Sequence, residues 1–174
     1  MIIIRLKGGL GNQMFQYALG RVLAIKNKTE LGLDLGFFDL NLKGITKRSY
    51  GLDVFNVKAR VIEKKELPLP FIHKLYNKKF SFYITSLLRK IFKIAGQEKS
   101  FAFDESVLSS GPNVYLNGHF QSPKYFAGFE DVIRNDFTLK NTPDEKTSVL
   151  AEEIRKINSL CVHVRRGDYV ANVF

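Results

Sequence analysis

The chain has 174 residues, of which 45% are hydrophobic and 25% charged. That suffices for one ordinary domain burying roughly 70% of its unfolded surface, and it excludes the disordered and collagen-like classes. A formal charge of +10, from 27 Lys and Arg against 17 Asp and Glu, favours polyanionic partners without choosing among nucleic acid, anionic lipid and a phosphate-bearing substrate. The single cysteine, Cys161, allows no internal disulfide.

The N-terminal run Met1–Lys7 is too short for a signal-peptide core and has no cleavage site after it. No run of 18 apolar residues occurs. A cytoplasmic protein is expected, with peripheral contact at the inner face of the membrane through the basic stretch described below.

In chain order, residues 2–7 predict a buried strand, Gly8-Gly9-Leu10-Gly11 a flexible turn, and Asn12 the N-cap of a helix over 13–27. Met14, Ala18, Val22 and Ile25 recur there at helical spacing. Residues 30–35 alternate as a second strand ending at Asp34. Strand, glycine turn, helix and strand make a βαβ unit, hence an α/β fold with a parallel sheet.

Residues 36–70 are irregular. Residues 71–94 predict an amphipathic helix with lysines on its polar side; between Phe71 and Lys99 there are seven Lys or Arg and one acid. Further expectations are a strand over 113–119 and a helix over 125–137. A second helix should begin at Thr142-Pro143-Asp144-Glu145, with Thr142 as cap and Glu145 completing a capping box, and run to about 158. A buried strand is expected over 160–164, with Cys161 inside it. A parallel strand normally needs a following crossover and a neighbour, so the sequence reads as the N-terminal portion of something longer.

Three segments could carry chemistry. Gly8-Gly9-Leu10-Gly11-Asn12-Gln13 suits an anion or a polar ligand, because glycines admit a ligand to the backbone and the first helical turn offers unpaired N–H groups. The same residues also suit a plain βα turn. Position 14 is Met, where a dinucleotide fingerprint needs Gly or Ala; a dinucleotide site built on Gly9, Gly11 and Asp34 is the weakest competitor.

The second segment is His163-Val164-Arg165-Arg166-Gly167-Asp168-Tyr169 at a strand exit. Two adjacent guanidiniums suit a diphosphate, and Asp168 could orient one of them or accept a proton. The third is the basic stretch 71–94, which as a non-catalytic module could bind an anionic membrane or nucleic acid, or could simply be a core helix with a solvated face. No nucleic-acid module is recognisable and no metal-ligand spacing occurs. Residues 113–122 end in Asn117, His119, Gln121 and Ser122, groups suited to sugar hydroxyls or to a polar strand end.

With these residues in hand, the chain resembles the N-terminal part of bacterial α-1,2-fucosyltransferases (glycosyltransferase family 11). The resemblance runs through Gly8–Ala18, Lys47–Leu52, Gly118–Ser122 with Tyr125-Phe126, and above all His163-x-Arg165-Arg166-Gly167-Asp168-Tyr169. It implies a GT-B-type architecture. Residues 1–158 would be a Rossmann-like acceptor-side domain, and 159–174 the first strand and arginine motif of a donor-binding domain cut off after that strand. It further implies inverting, metal-independent transfer of L-fucose from GDP-fucose to the 2-hydroxyl of a terminal galactose, with no cofactor.

In that scheme Arg165, Arg166 and Asp168 are the catalytic set. His163, Arg165, Arg166, Tyr169, Gly9, Gly11, Asn12 and Gln13 bind the donor, and Asn12, His119 and Gln121 the acceptor. The family continues past the arginine motif with further donor-binding motifs, so weak turnover is expected of these 174 residues alone.

Overall fold

The structure is a computed structural model, and it describes residues 1–40, 46–67 and 102–164. The chain divides into two compact units, Met1–Thr138 and Leu139–Phe174. Among the described residues the first is built on four parallel strands: β1 (Ile2–Arg5), β2 (Leu31–Asp34), β3 (Arg60–Val61) and β4 (Val114–Leu116), in spatial order β3-β2-β1-β4. The expected α/β class with a parallel sheet is therefore present.

β1 lies between β2 and β4, with Ile2 opposite both Leu31 and Val114. Flanked on both sides, its isoleucines are almost fully buried, as a parallel strand covered on both faces requires.

Helix α1 (Leu10–Lys26) crosses over between β1 and β2. Its Tyr17, Leu19 and Leu23 are wholly buried and join Ile2, Ile4 and Leu33 in the main core. Gly20 sits where α1 meets the sheet: a Cβ there would come 2.8 Å from Leu31 Cδ1 and 3.2 Å from Ile4 Cγ2. A glycine in mid-helix is thus the condition for close helix–strand packing.

The helix starts earlier than the sequence suggests. Gly9 is its N-cap, with its carbonyl accepting from Gln13 N at 3.1 Å. Asn12 is therefore inside the first turn, and its side chain is released from capping.

The helix expected over 125–137 is two pieces. A 3-10 turn over Pro123–Phe126 is capped by Ser122, and α2 spans Glu130–Asp136. Gly128, at φ +80°, breaks the helical path between them. Tyr17, Arg21 and Asp136 tie α2 to α1. The Tyr17 hydroxyl donates to Asp136 Oδ2 at 2.7 Å and accepts from Lys58 N at 2.8 Å, and Arg21 Nε donates to the same oxygen at 2.8 Å. Burial, and then the bond to Asp136, push the Tyr17 phenol well above its ordinary range.

In the second unit, α3 spans Glu145–Lys156, and its cap is Asp144 rather than Thr142. Asp144 Oδ1 accepts from Thr147 N at 2.9 Å and Oδ2 from Thr147 Oγ1 at 2.8 Å. A carboxylate at the first turn satisfies an orphan N–H and complements the dipole, and the Thr147 amide holds its pKa below the usual range. Residues 160–164 form no strand, contrary to expectation. Leu160, Val162 and Val164 are 89%, 76% and 75% exposed, and Cys161 is exposed too. Among the described residues no strand pairs with this segment, and an apolar run without a neighbour has nothing to be buried against.

The basic stretch 71–94, and Arg165, Arg166, Asp168 and Tyr169, lie outside the described residues. Among the described residues no helix is long and apolar enough to cross a membrane.

Candidate active site at the carboxyl edge of the sheet

In open parallel sheets, ligands bind beyond the carboxyl ends of the strands, where the strand order reverses. Here the order reverses at β1, between β2 on one side and β4 on the other. The loops leaving β1 and β4 carry the two motifs of the first unit singled out from sequence.

The β1 exit is held open by side-chain amides. Gln16, fully buried, accepts from Lys7 N at 3.0 Å and donates to Lys7 O at 3.3 Å, so it satisfies the backbone where the strand ends. Gly8 follows at φ +78°, a conformation costly for any residue with a Cβ. A Cβ there would also come 2.5 Å from Asn12 Nδ2; the glycine is a notch that seats the Asn12 carboxamide. Among the described residues an added Cβ at Gly9 or Gly11 would meet nothing within 4 Å.

Gln13 is turned inward and 1% exposed. Its Nε2 donates to Gly8 O (3.1 Å) and Ser49 O (2.9 Å), and its Oε1 accepts from Gly51 N (3.0 Å). The amide therefore clasps the segment after residue 46 to the glycine bend. Asn12, next in sequence, reaches the other way: Gln121 Nε2 donates to Asn12 Oδ1 at 2.6 Å.

Gln121 is placed by its neighbours. Phe120 is completely buried, with φ +54°, a rare conformation for a bulky side chain. Its ring lies over Gly118, where a Cβ would meet Cζ at 2.6 Å, and edge-on to Tyr125 at 5.7 Å. With Phe120 sunk in the core, His119 is half-buried and Gln121 exposed.

Asp34, the acid of the dinucleotide reading, is 3% exposed. It accepts from Tyr115 OH at 2.6 Å and Gly36 N at 2.8 Å, and lies 4.0 Å from Arg5 Nε. Its carboxylate braces β1, β2 and β4 and is not presented to a ribose. Beside it, at the β2 and β3 exits, is a cavity of about 420 Å³ lined by Asp34, Asp39, Ile62, Glu63 and Lys64 among others. Lys64 Nζ pairs with Asp39 Oδ2 at 2.9 Å, and Lys65 Nζ with Glu63 Oε2 at 2.7 Å.

Of the residues expected in the site, the structure brings Gly9, Gly11, Asn12 and Gln121 to one edge, with Gln13 beneath them. His163 is exposed in the second unit. Sequence reasoning gave no role to Gln16, to Tyr115 or to the Ser49–Gly51 backbone. Gln13 and Gln16, three residues apart on an otherwise apolar helix face, are the signal that could have found the first, because buried amides must be hydrogen-bonded.

The chain is 36% identical to an alpha-1,2-colitosyltransferase of Escherichia coli, over 99% of this chain and 57% of that protein. It is 29% identical to the O-antigen biosynthesis glycosyltransferase WbnK of Escherichia coli, over 96% of this chain and 59% of that protein. It is also 29% identical to a galactoside 2-alpha-L-fucosyltransferase of Caenorhabditis elegans, over 98% of this chain and 43% of that protein. The chain thus spans between about two-fifths and three-fifths of these relatives. No solved structure matches it. The profile of glycosyl transferase family 11 matches residues 1–173, from the first strand through the arginine motif; the chain belongs to that family.

Proposed function

We propose that this protein takes part in the transfer of L-fucose, or of the related sugar colitose, from a GDP-sugar to the 2-hydroxyl of a terminal galactose, with inversion and without a metal. The observation that carries the reading is the family match over 1–173, which contains both the glycine bend and His163–Tyr169. The relatives' names support an α-1,2 linkage and a fucosyl-type donor. We further propose a GT-B-type arrangement, with residues 1–158 on the acceptor side and the segment from 159 on the donor side.

In this reaction the 2-hydroxyl oxygen forms a bond to the sugar C1. The bond from C1 to the diphosphate oxygen breaks from the opposite face, and its electron pair leaves with GDP. The hydroxyl proton passes to Asp168 or to water. Positive charge grows on the sugar and negative charge on the diphosphate, and the Arg165 and Arg166 guanidiniums answer the second. His163, Asp168 and Tyr169 position them. Gln13 acts indirectly, by fixing the bend on which Asn12 sits. The family profile runs through 71–94, so the basic stretch belongs to the transferase, where it would supply any peripheral membrane contact; nucleic acid is not among its partners in this reading.

The test is transfer from GDP-fucose and GDP-colitose to methyl β-galactoside, by the protein as expressed from its own gene, with and without chelator. Arg166→Ala should lower transfer by about a hundredfold or more, the scale of one lost charge-stabilising donor, with an unchanged melting temperature. Unaltered transfer in that variant would reject the arginine clamp, and transfer abolished by chelator would reject the metal-free scheme.

A further inference from the structure

The cavity of about 420 Å³ at the exits of β2 and β3 falls within the range of about 300–1,000 Å³ that small-molecule sites occupy. None of its lining residues takes part in the glycosyl transfer proposed above. It lies on the same carboxyl edge as the glycine bend, with β2 next to β1 and β3 beyond. One to two strand spacings, or about 5–10 Å, separate it from the β1 exit.

Its lining is part apolar and part charged. Ile62 is 7% exposed, and its N–H donates to Leu33 O at 3.1 Å, which holds the residue after β3 against β2. Leu35 and Gly36 continue the apolar part, with Gly36 N donating to Asp34 Oδ1 at 2.8 Å. On the charged side, the Lys64–Asp39 pair at 2.9 Å joins the loop after β2 to the turn after β3. That turn is braced at its own ends: Glu66 Oε1 accepts from Glu63 N at 3.0 Å, and Glu66 Oε2 pairs with Arg60 Nη2 at 2.8 Å. The walls are therefore fixed by contacts within the protein, and such pre-organisation lowers the cost of binding.

The charges select the ligand class. The carboxylates of Asp34, Asp39 and Glu63 are matched by Lys64, by Lys65 and, behind Asp34 at 4.0 Å, by Arg5. Each lysine is already engaged by a carboxylate, so a phosphate would have to displace one carboxylate and leave it beside a like charge. A wholly apolar ligand would strip water from the charged side without replacing its hydrogen bonds. A neutral ring with a C–H face and several hydroxyls satisfies both parts: the face packs on Leu35 and Ile62, and the hydroxyls donate to carboxylates and accept from ammoniums. A pyranose has this form.

We propose that the cavity is a second sugar subsite, which holds the neutral sugar adjoining the terminal galactose of the acceptor; the proposal rests on the glycosyl-transfer reading above. A terminal galactose at the β1 exit would place its neighbour within one or two strand spacings along the edge, where the cavity stands. The substrate class is thus a neutral oligosaccharide, and the subsite contributes binding without touching the reacting atoms.

The experiment measures transfer by the protein as expressed from its own gene, with methyl β-galactoside, lactose, Galβ1-3GlcNAc and Galβ1-3GalNAc as acceptors. At least one disaccharide should have a KM about tenfold below that of methyl β-galactoside, the scale of a hydrogen bond or two. Lys64→Ala and Asp39→Ala, both at exposed positions, should remove that advantage and leave kcat, and the KM of methyl β-galactoside, unchanged, the signature of lost uniform binding. Lys64→Arg keeps a cation for Asp39 and should stay within about twofold of the parent. In NMR titrations of the same protein, the preferred disaccharide should shift the Gly36 and Ile62 amides, and methyl β-galactoside, GDP and inorganic phosphate should not.

Equal KM for all four acceptors, a loss in the alanine variants that extends to methyl β-galactoside, or Gly36 and Ile62 shifts produced by GDP or phosphate would each overturn the proposal while leaving the glycosyl-transfer reading standing. Absence of transfer to every acceptor by the unaltered protein would instead remove that reading, and this inference with it.

Discussion

Two short apolar segments of this chain are similar in sequence and opposite in fate. Ile2-Ile3-Ile4-Arg5 becomes the centre of the sheet, with Ile2 and Ile4 fully buried. Leu160-Cys161-Val162-His163-Val164, just as rich in apolar residues, forms no strand and stays exposed. β1 has hydrogen-bonded neighbours on both sides, and residues 160–164 have none among the described residues. Apolar composition makes a segment able to be a strand; the neighbours decide whether it is one. The same contrast separates the helices. α1 buries Tyr17, Leu19 and Leu23 against the sheet, whereas on α3 Val149, Leu150 and Ile154 are about half exposed.

Substitution can break or sharpen this contrast. The largest effect is expected at Leu23→Ala, in the core of the first unit, which should cost about 2–5 kcal/mol in chemical denaturation through lost burial and the cavity left behind. Tyr17→Phe should cost about 1–3 kcal/mol, because Lys58 N loses its buried acceptor. It also carries a pH signature. The folded-state pKa of Tyr17 is raised, so above the ordinary tyrosine value of about 10 the unfolded chain releases a proton that the folded chain keeps. Stability should therefore fall as pH rises beyond about 10, and melting curves of Tyr17→Phe should show a smaller fall. The smallest effect is expected at Ile154→Ser on α3, where a surface change should stay within about 0.5 kcal/mol. A cost at Ile154 equal to that at Leu23 would erase the distinction between the units.

Much of the first unit was legible because its signals are local. The run Ile2–Ile4, the glycines, and the helical spacing from Met14 to Ile25 each constrain a few neighbouring residues, and together they predict the βαβ unit that is observed. The errors fall where competing local solutions have similar energy. Gly9 and Asn12 can both begin α1, and Thr142 and Asp144 can both cap α3; tertiary placement of Asn12 and the stronger acceptor at Asp144 settle the two cases. Gly128 divides the helix expected over 125–137, since its positive φ leaves the helical path.

Of the candidate site, the sequence by itself determined the residue types and their order: a glycine bend with two carboxamides after the first strand, and a polar exit after the fourth. Only the tertiary structure decided that Gln13 turns inward to clasp Ser49 and Gly51 while Asn12 turns outward to meet Gln121. Adjacent residues on a helix project about 100° apart, so one of two neighbouring amides can be a strut and the other a contact. Which is which depends on the loops that the sheet order β3-β2-β1-β4 brings alongside, and that order is a long-range property that no local pattern encodes.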